Sequence, residues 1–130
     1  MSYLVVVTRR YSFEAGHWLP KVAIDHKCKR PHGHNYEIEV SVVGSTDEVG
    51  FVIDFWDLDK VVDPIVAIVD HRMLNEIQGL ENPTAENIGR WFFKKIAEKM
   101  DEENLSIGDT ALQMVRVFET KNCWADISGV

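Results

Sequence analysis

A thiol and two imidazoles fall within seven residues in the run Cys28-Lys29-Arg30-Pro31-His32-Gly33-His34, and Lys27 precedes it. The stretch from Tyr36 to Val43 alternates apolar and polar side chains, so His32 and His34 sit at the mouth of a strand. Residues two apart on a strand point to one face. Two such imidazoles can reach one metal ion, and Gly33 between them lets backbone pack close by. Zinc normally takes a third protein ligand. The candidate is His17, which follows a strand-like run from Leu4 to Phe13. Three neutral nitrogens would leave one corner of a tetrahedron open, the arrangement of a catalytic zinc.

Four other positions could take part in chemistry. Cys28 has Lys27, Lys29 and Arg30 around it, and positive charge favours the thiolate. A thiolate beside a metal-held substrate could act as a general base; the alternative is a small buried hydrophobe. Asp70-His71 closes a helix-like run, where the carboxylate could fix the tautomer of a proton-relaying imidazole; the alternative is a polar helix terminus. Glu119 ends an otherwise apolar strand and could accept two parallel hydrogen bonds from an N–H/NH2 edge; the alternative is a solvated strand end. The basic residues at 27, 29 and 30 could bind phosphates or be plain solvated loop. Cys123 reads as structural and His26 as a surface residue.

The chain that must position these groups has 130 residues, 45% hydrophobic and 27% charged. That suits one soluble domain over residues 1–130. A net charge of -7 argues against nucleic-acid binding. No apolar run is long enough for a membrane span. No export pattern precedes Arg9-Arg10, so the expectation is a cytoplasmic protein with reduced thiols and no Cys28–Cys123 disulfide.

Tyr3 to Glu14 and Tyr36 to Val43 read as strands, separated by a loop over Trp18 to Lys27. Asp54 is a helix N-cap, with Phe55, Leu58, Val61, Val62, Ile65 and Val69 at helical spacing. Pro64 predicts a kink or break in that helix. Thr84 caps a second helix, with Glu86 in its first turn and a stripe of Ile88, Trp91, Phe92, Ile96 and Met100. Asp101 to Thr110 reads as a surface connection, followed by strands over Ala111 to Glu119 and Asn122 to Ile127. This order predicts an α+β fold: four antiparallel strands with both helices on one face. Its open edges would invite assembly.

Five motifs now carry a resemblance. They are Phe13-Glu14-Ala15-Gly16-His17, Cys28-x-x-x-His32-Gly33-His34, Asp70-His71-x-x-Leu74-Asn75, Asn82-Pro83-Thr84-Ala85-Glu86-Asn87 and Glu119-Thr120. Together and in this order they resemble the 6-pyruvoyltetrahydropterin synthase / 6-carboxytetrahydropterin synthase family, the tunnelling fold. The resemblance implies a ββααββ subunit that forms trimeric barrels stacked as a homohexamer, with active sites between subunits. It implies zinc (Zn2+) on His17, His32 and His34, Cys28 as base, Asp70 and His71 as its relay, and Glu119 as pterin anchor. Thr84 and Glu86 would lie at the substrate. The three-residue gap between Cys28 and His32, and the run Leu80-Glu81-Asn82-Pro83-Thr84, resemble the queuosine-pathway branch. The long connection after Asp101 and the segment from Lys121 onward depart from it. The implied activity is that of a lyase converting 7,8-dihydroneopterin triphosphate to 6-carboxy-5,6,7,8-tetrahydropterin, acetaldehyde and triphosphate. A 6-pyruvoyltetrahydropterin synthase and a non-catalytic zinc- or pterin-binding module are the alternatives.

Overall fold

The computed structural model describes residues 3–129; Met1, Ser2 and Val130, part of the expected 1–130 domain, lie outside that range. Two long strands form its centre. Strand β1 (Val5–His17) and strand β2 (His32–Gly44) pair antiparallel along their whole length, from Val5 opposite Gly44 to His17 opposite His32. The histidines thus belong to the strands rather than lying beyond them. The alternation that predicted the strands under-reads their ends, where His, Gly and Asn interrupt the apolar pattern. Helix α1 (Phe55–Val69) follows, then a two-residue strand β3 (Arg72–Met73), helix α2 (Ala85–Glu102), and strands β4 (Ala111–Thr120) and β5 (Cys123–Ser128).

The sheet runs β3-β1-β2-β4-β5. This corrects the expected four-stranded antiparallel sheet. A fifth strand is present, and it lies parallel to β1, pairing Ala15 with Arg72 and Gly16 with Met73. Two residues carry no periodicity, so sequence pattern cannot reveal such a strand.

One sheet face is apolar. Phe13, Ala15, Tyr36, Ile38, Val40, Val42, Val115 and Val117 are all buried there. Against them pack Leu58, Val61, Val62, Ile65 and Val69 of α1 and the predicted stripe of α2. Each such buried side chain contributes about 1.5–3 kcal/mol. Phe55 departs from its expected place: it is 42% exposed, with the Arg9 guanidinium over its ring. Pro64 neither ends nor divides α1, which continues to Val69. The two caps are as expected, since Asp54 accepts from the Trp56 N–H at 2.9 Å and Thr84 from the Asn87 N–H at 3.2 Å. The opposite sheet face is charged, with Arg10 paired to Glu39 and Arg116 to Asp126, each at 2.6 Å. Among the described residues no helix is long and apolar enough to cross a membrane.

Candidate active site

Strand register builds the centre of the site. His17 faces His32 across β1 and β2, and His34 shares the face of His32. The ring centroids of His17, His32 and His34 lie 4.5, 4.9 and 5.0 Å apart, and one nitrogen from each falls within 4.8 Å of the others. His17 is 1% exposed; the other two are half-buried.

The outer nitrogens of two rings are already engaged. His17 Nδ1 lies 2.8 Å from the Pro83 carbonyl oxygen, and His32 Nδ1 lies 2.7 Å from that of Arg30. A carbonyl only accepts, so each Nδ1 must donate. In a neutral ring the lone pair is then on Nε2. Yet Nε2 of His17 and Nε2 of His34 are buried without a hydrogen-bond partner. Glu119 Oε1 stands 3.3 Å from His34 Nε2, close enough for an ion pair but outside hydrogen-bond geometry. Orphans of this kind cost about 1–3 kcal/mol each. A divalent metal fits: lone pairs converge, and the backbone carbonyls behind them fix the tautomers, as at known histidine-metal centres. Burial holds His17 below the ordinary imidazole pKa, against the opposing pull of the Pro83 bond and of Glu119. Burial does the same to His34, again opposed by Glu119. Neutral, metal-competent rings are therefore favoured.

Cys28 reaches this end of the sheet on a single helical turn, Lys27–Lys29. Its carbonyl accepts from the Leu19 N–H at 2.8 Å, which ties it two residues beyond His17. Its own N–H donates to His26 Nδ1 at 3.0 Å. His26 is exposed, as expected, yet it caps the turn that carries the thiol. Lys29 does not point at that thiol: its ammonium donates to the carbonyls of Pro20 at 2.5 Å and Val22 at 3.3 Å, closing its own loop. Both cysteines are free, and Cys123 is exposed on β5 rather than structural.

Asp70 and His71 lie elsewhere. The His71 ring sits between two carboxylates, with Nδ1 2.9 Å from Asp70 Oδ1 and Nε2 3.4 Å from Glu14 Oε2. Glu14 alternates with buried Phe13 and Ala15, so this pair belongs to the face opposite the three imidazoles. His71 holds a left-handed backbone, φ 58°, that non-glycine residues seldom adopt. The Asp70 carboxyl is held below its usual range, chiefly by the Glu14 backbone N–H and further by His71. Among the described residues no hydrogen bond or ion pair joins Asp70 or His71 to Cys28. Thr84 and Glu86 begin α2, where Thr84 caps the helix and Glu86 is exposed; their neighbour Pro83 is what touches His17.

The sequence reading missed three contributors. Pro83 acts through a carbonyl, which no side-chain pattern signals. Asn75 holds the residue after His17 by two reciprocal bonds, Trp18 N–H to Oδ1 at 3.0 Å and Nδ2 to the Trp18 carbonyl at 2.8 Å. Tyr36, read only as a core residue, carries a buried hydroxyl with no partner. Burial, with Glu119 and Cys28 adding to it, pushes that phenol's pKa up.

Comparison with known proteins places this geometry. The family model described as 6-pyruvoyl tetrahydropterin synthase matches residues 6–130. A Synechocystis protein named 6-carboxy-5,6,7,8-tetrahydropterin synthase is 37% identical over 121 residues, 88% of this chain and 86% of its own. A Pyrococcus furiosus protein named dihydroneopterin monophosphate aldolase is 38% identical over 110 residues, 85% of each chain. The structure of Caenorhabditis elegans 6-pyruvoyl tetrahydropterin synthase superimposes with a TM-score of 0.87 at 29% identity, over 99% of this chain and 98% of that one. With its two helices on one five-stranded sheet and its clustered imidazoles, the chain belongs to the 6-pyruvoyl tetrahydropterin synthase family.

Proposed function

We propose that the protein is a zinc-dependent 6-carboxy-5,6,7,8-tetrahydropterin synthase of the queuosine (7-deazaguanine) route, acting in the cytoplasm as a homohexamer. It would convert 7,8-dihydroneopterin triphosphate and water to 6-carboxytetrahydropterin, acetaldehyde and triphosphate. The observation that carries this reading is the convergence of three imidazoles, two with orphaned inward nitrogens, next to Glu119 in a chain of this family.

His17, His32 and His34 would hold the metal. When bound, zinc would acidify the side-chain hydroxyls of the substrate, as it lowers the pKa of coordinated water by about 9 units. The remaining work falls to the protein. Glu119 accepts from the N–H/NH2 edge of the pterin and so places the side chain beside the imidazoles; such positioning can supply several kcal/mol, about 7–11 in the best cases. Thr84, whose hydroxyl proton is not used by its capping bond, and Glu86 add polar contacts to the substrate. Cys28 removes a proton from the side chain. His71, oriented by Asp70, shuttles protons from a neighbouring copy, since its own copy keeps it on the far sheet face. Lys27 and Arg30, both exposed beside the Cys28 turn, receive the triphosphate.

The aldolase relative supports a second reading, carbon–carbon cleavage of dihydroneopterin monophosphate. A 6-pyruvoyltetrahydropterin synthase is the third. One experiment separates them: metal-loaded protein is incubated with each phosphate ester and the products are identified by mass. Acetaldehyde with 6-carboxytetrahydropterin from the triphosphate supports the first reading. Cleavage of the monophosphate alone supports the aldolase, and a retained three-carbon side chain supports the third. Cys28→Ala should keep its metal and lose turnover, and parental turnover would remove Cys28 from its role.

A further inference from the structure

Three buried side-chain atoms among the described residues lack a hydrogen-bond partner: His17 Nε2, His34 Nε2 and Tyr36 Oη. A metal accounts for the two nitrogens and leaves the phenol unexplained. Tyr36 is 0% exposed. It follows His32 and His34 on the same strand face. Its ring stands edge-on to His17 at 5.8 Å and to His34 at 5.4 Å, and lies flat on Phe13 at 5.0 Å. Phe13 therefore fixes the ring from one side while two metal-site imidazoles border it. Across the sheet Glu37 pairs with Phe118, which sets Glu119 beside Tyr36. For the core, phenylalanine would serve at this position; nothing in the packing uses the hydroxyl.

We propose that Tyr36 is a substrate-positioning residue whose hydroxyl reserves its proton for an oxygen of the ligand that enters beside the three imidazoles. The phenol is a donor with a free proton, and its ring borders two of the three imidazoles whose nitrogens would leave a fourth place to another group. It selects a ligand that presents an acceptor oxygen there, such as a side-chain hydroxyl or carbonyl. This rests on the metal reading of the histidines and deepens it by naming the residue that would position the incoming oxygen.

The test compares the parent protein with Tyr36→Phe, which removes one O–H and keeps the ring. Metal-free Tyr36→Phe should unfold at the same or a higher temperature, because an unpartnered buried hydroxyl stabilises nothing. Cobalt affinity, measured against a chromophoric chelator, should be unchanged. Acetohydroxamate, an oxygen-donor ligand followed through the cobalt absorption bands, should bind about tenfold more weakly, or about 1.4 kcal/mol. Equal hydroxamate affinity in the two proteins overturns the proposal, as does a parent that binds no cobalt or a variant that loses stability and cobalt together. Dihydroneopterin binding by fluorescence quenching tests the pterin reading separately. If neither protein binds it while the hydroxamate contrast holds, the pterin reading falls and the Tyr36 assignment stands. If both bind it and the hydroxamate affinities match, the Tyr36 assignment falls and the pterin reading stands.

Discussion

His17 and Pro83 meet at 2.8 Å through Nδ1 and a carbonyl oxygen, joining the last residue of β1 to the turn before α2. That bond favours a protonated Nδ1 and, taken alone, would raise the ring's pKa. Burial outweighs it, and both His17 and His34 are held below the ordinary value of about 6.5. Between that value and their lowered ones the unfolded chain binds more protons than the folded one. Stability then rises with pH across the window and is complete above it. Metal-free protein should keep a constant denaturant midpoint from about pH 8 down to about 6.5 and lose stability below that. The carboxyls of Asp47, Asp70 and Asp109 are also held low, but their contribution disappears only in the carboxylate range, about pH 4 and below. Denaturant unfolding at a series of pH values checks this. A flat profile down to about pH 5 would mean that the buried imidazoles titrate as in the unfolded chain.

Asn75 grips the Trp18 backbone at both N–H and carbonyl. It stands in for a strand neighbour at the point where β1 ends. Asn75→Leu keeps the branching and the number of heavy atoms but leaves two part-buried backbone groups without their side-chain partners, which should cost about 1–3 kcal/mol. The residue it frees adjoins His17, so metal affinity should fall as well, by several-fold. Chelator competition on the folded fraction measures this. Full affinity at reduced stability would show that Pro83 alone holds the ring.

The clustering of His17, His32 and His34 was legible because strand periodicity turns His-x-His into a shared face and because β1 ends where β2 begins. The helices were legible through Asp54, Thr84 and their apolar stripes. The rest was hidden for specific reasons. Pro83 and Arg30 act through carbonyls, which every residue type carries. Strand β3 is too short to have a period. Phe55 follows the helical spacing yet lies exposed, because spacing names a face and not what covers it. The separation of His71 from Cys28 rests on the contact of His71 with Glu14, a long-range pairing that no motif records. Tyr36 satisfied the apolar alternation so well that its hydroxyl drew no notice.

His26 accepts the Cys28 N–H at 3.0 Å and so closes the turn that presents the thiol. His26→Ala should leave the cluster of His17, His32 and His34 intact, because those imidazoles lie on β1 and β2. It should let the Cys28 turn fray, as a lost cap does, at a cost of about 0.5–2 kcal/mol. If Cys28 is the base, kcat should fall by about tenfold while KM for the pterin holds, since misplacement of a reacting group by even 1 Å can cost 100-fold. Steady-state kinetics on metal-loaded variants reads the split. His26→Asn offers an acceptor to the same N–H and should recover part of the loss. An unchanged kcat would show that the turn needs no cap.

His71 and the three imidazoles occupy opposite faces of one sheet, so a site that uses both must draw them from two copies. Cys28→Ala and His71→Ala should each be inactive alone. Unfolded together and refolded as a mixture, they should recover activity. If each site takes its thiol from one copy and its imidazole from another, random pairing in a symmetric oligomer gives about a quarter of the parental sites. Mixing without unfolding should recover nothing until subunits exchange, which separates true pairing from contamination. Were one chain to fold His71 back onto its own Cys28, every site in the mixture would lack one group and the refolded sample would stay silent.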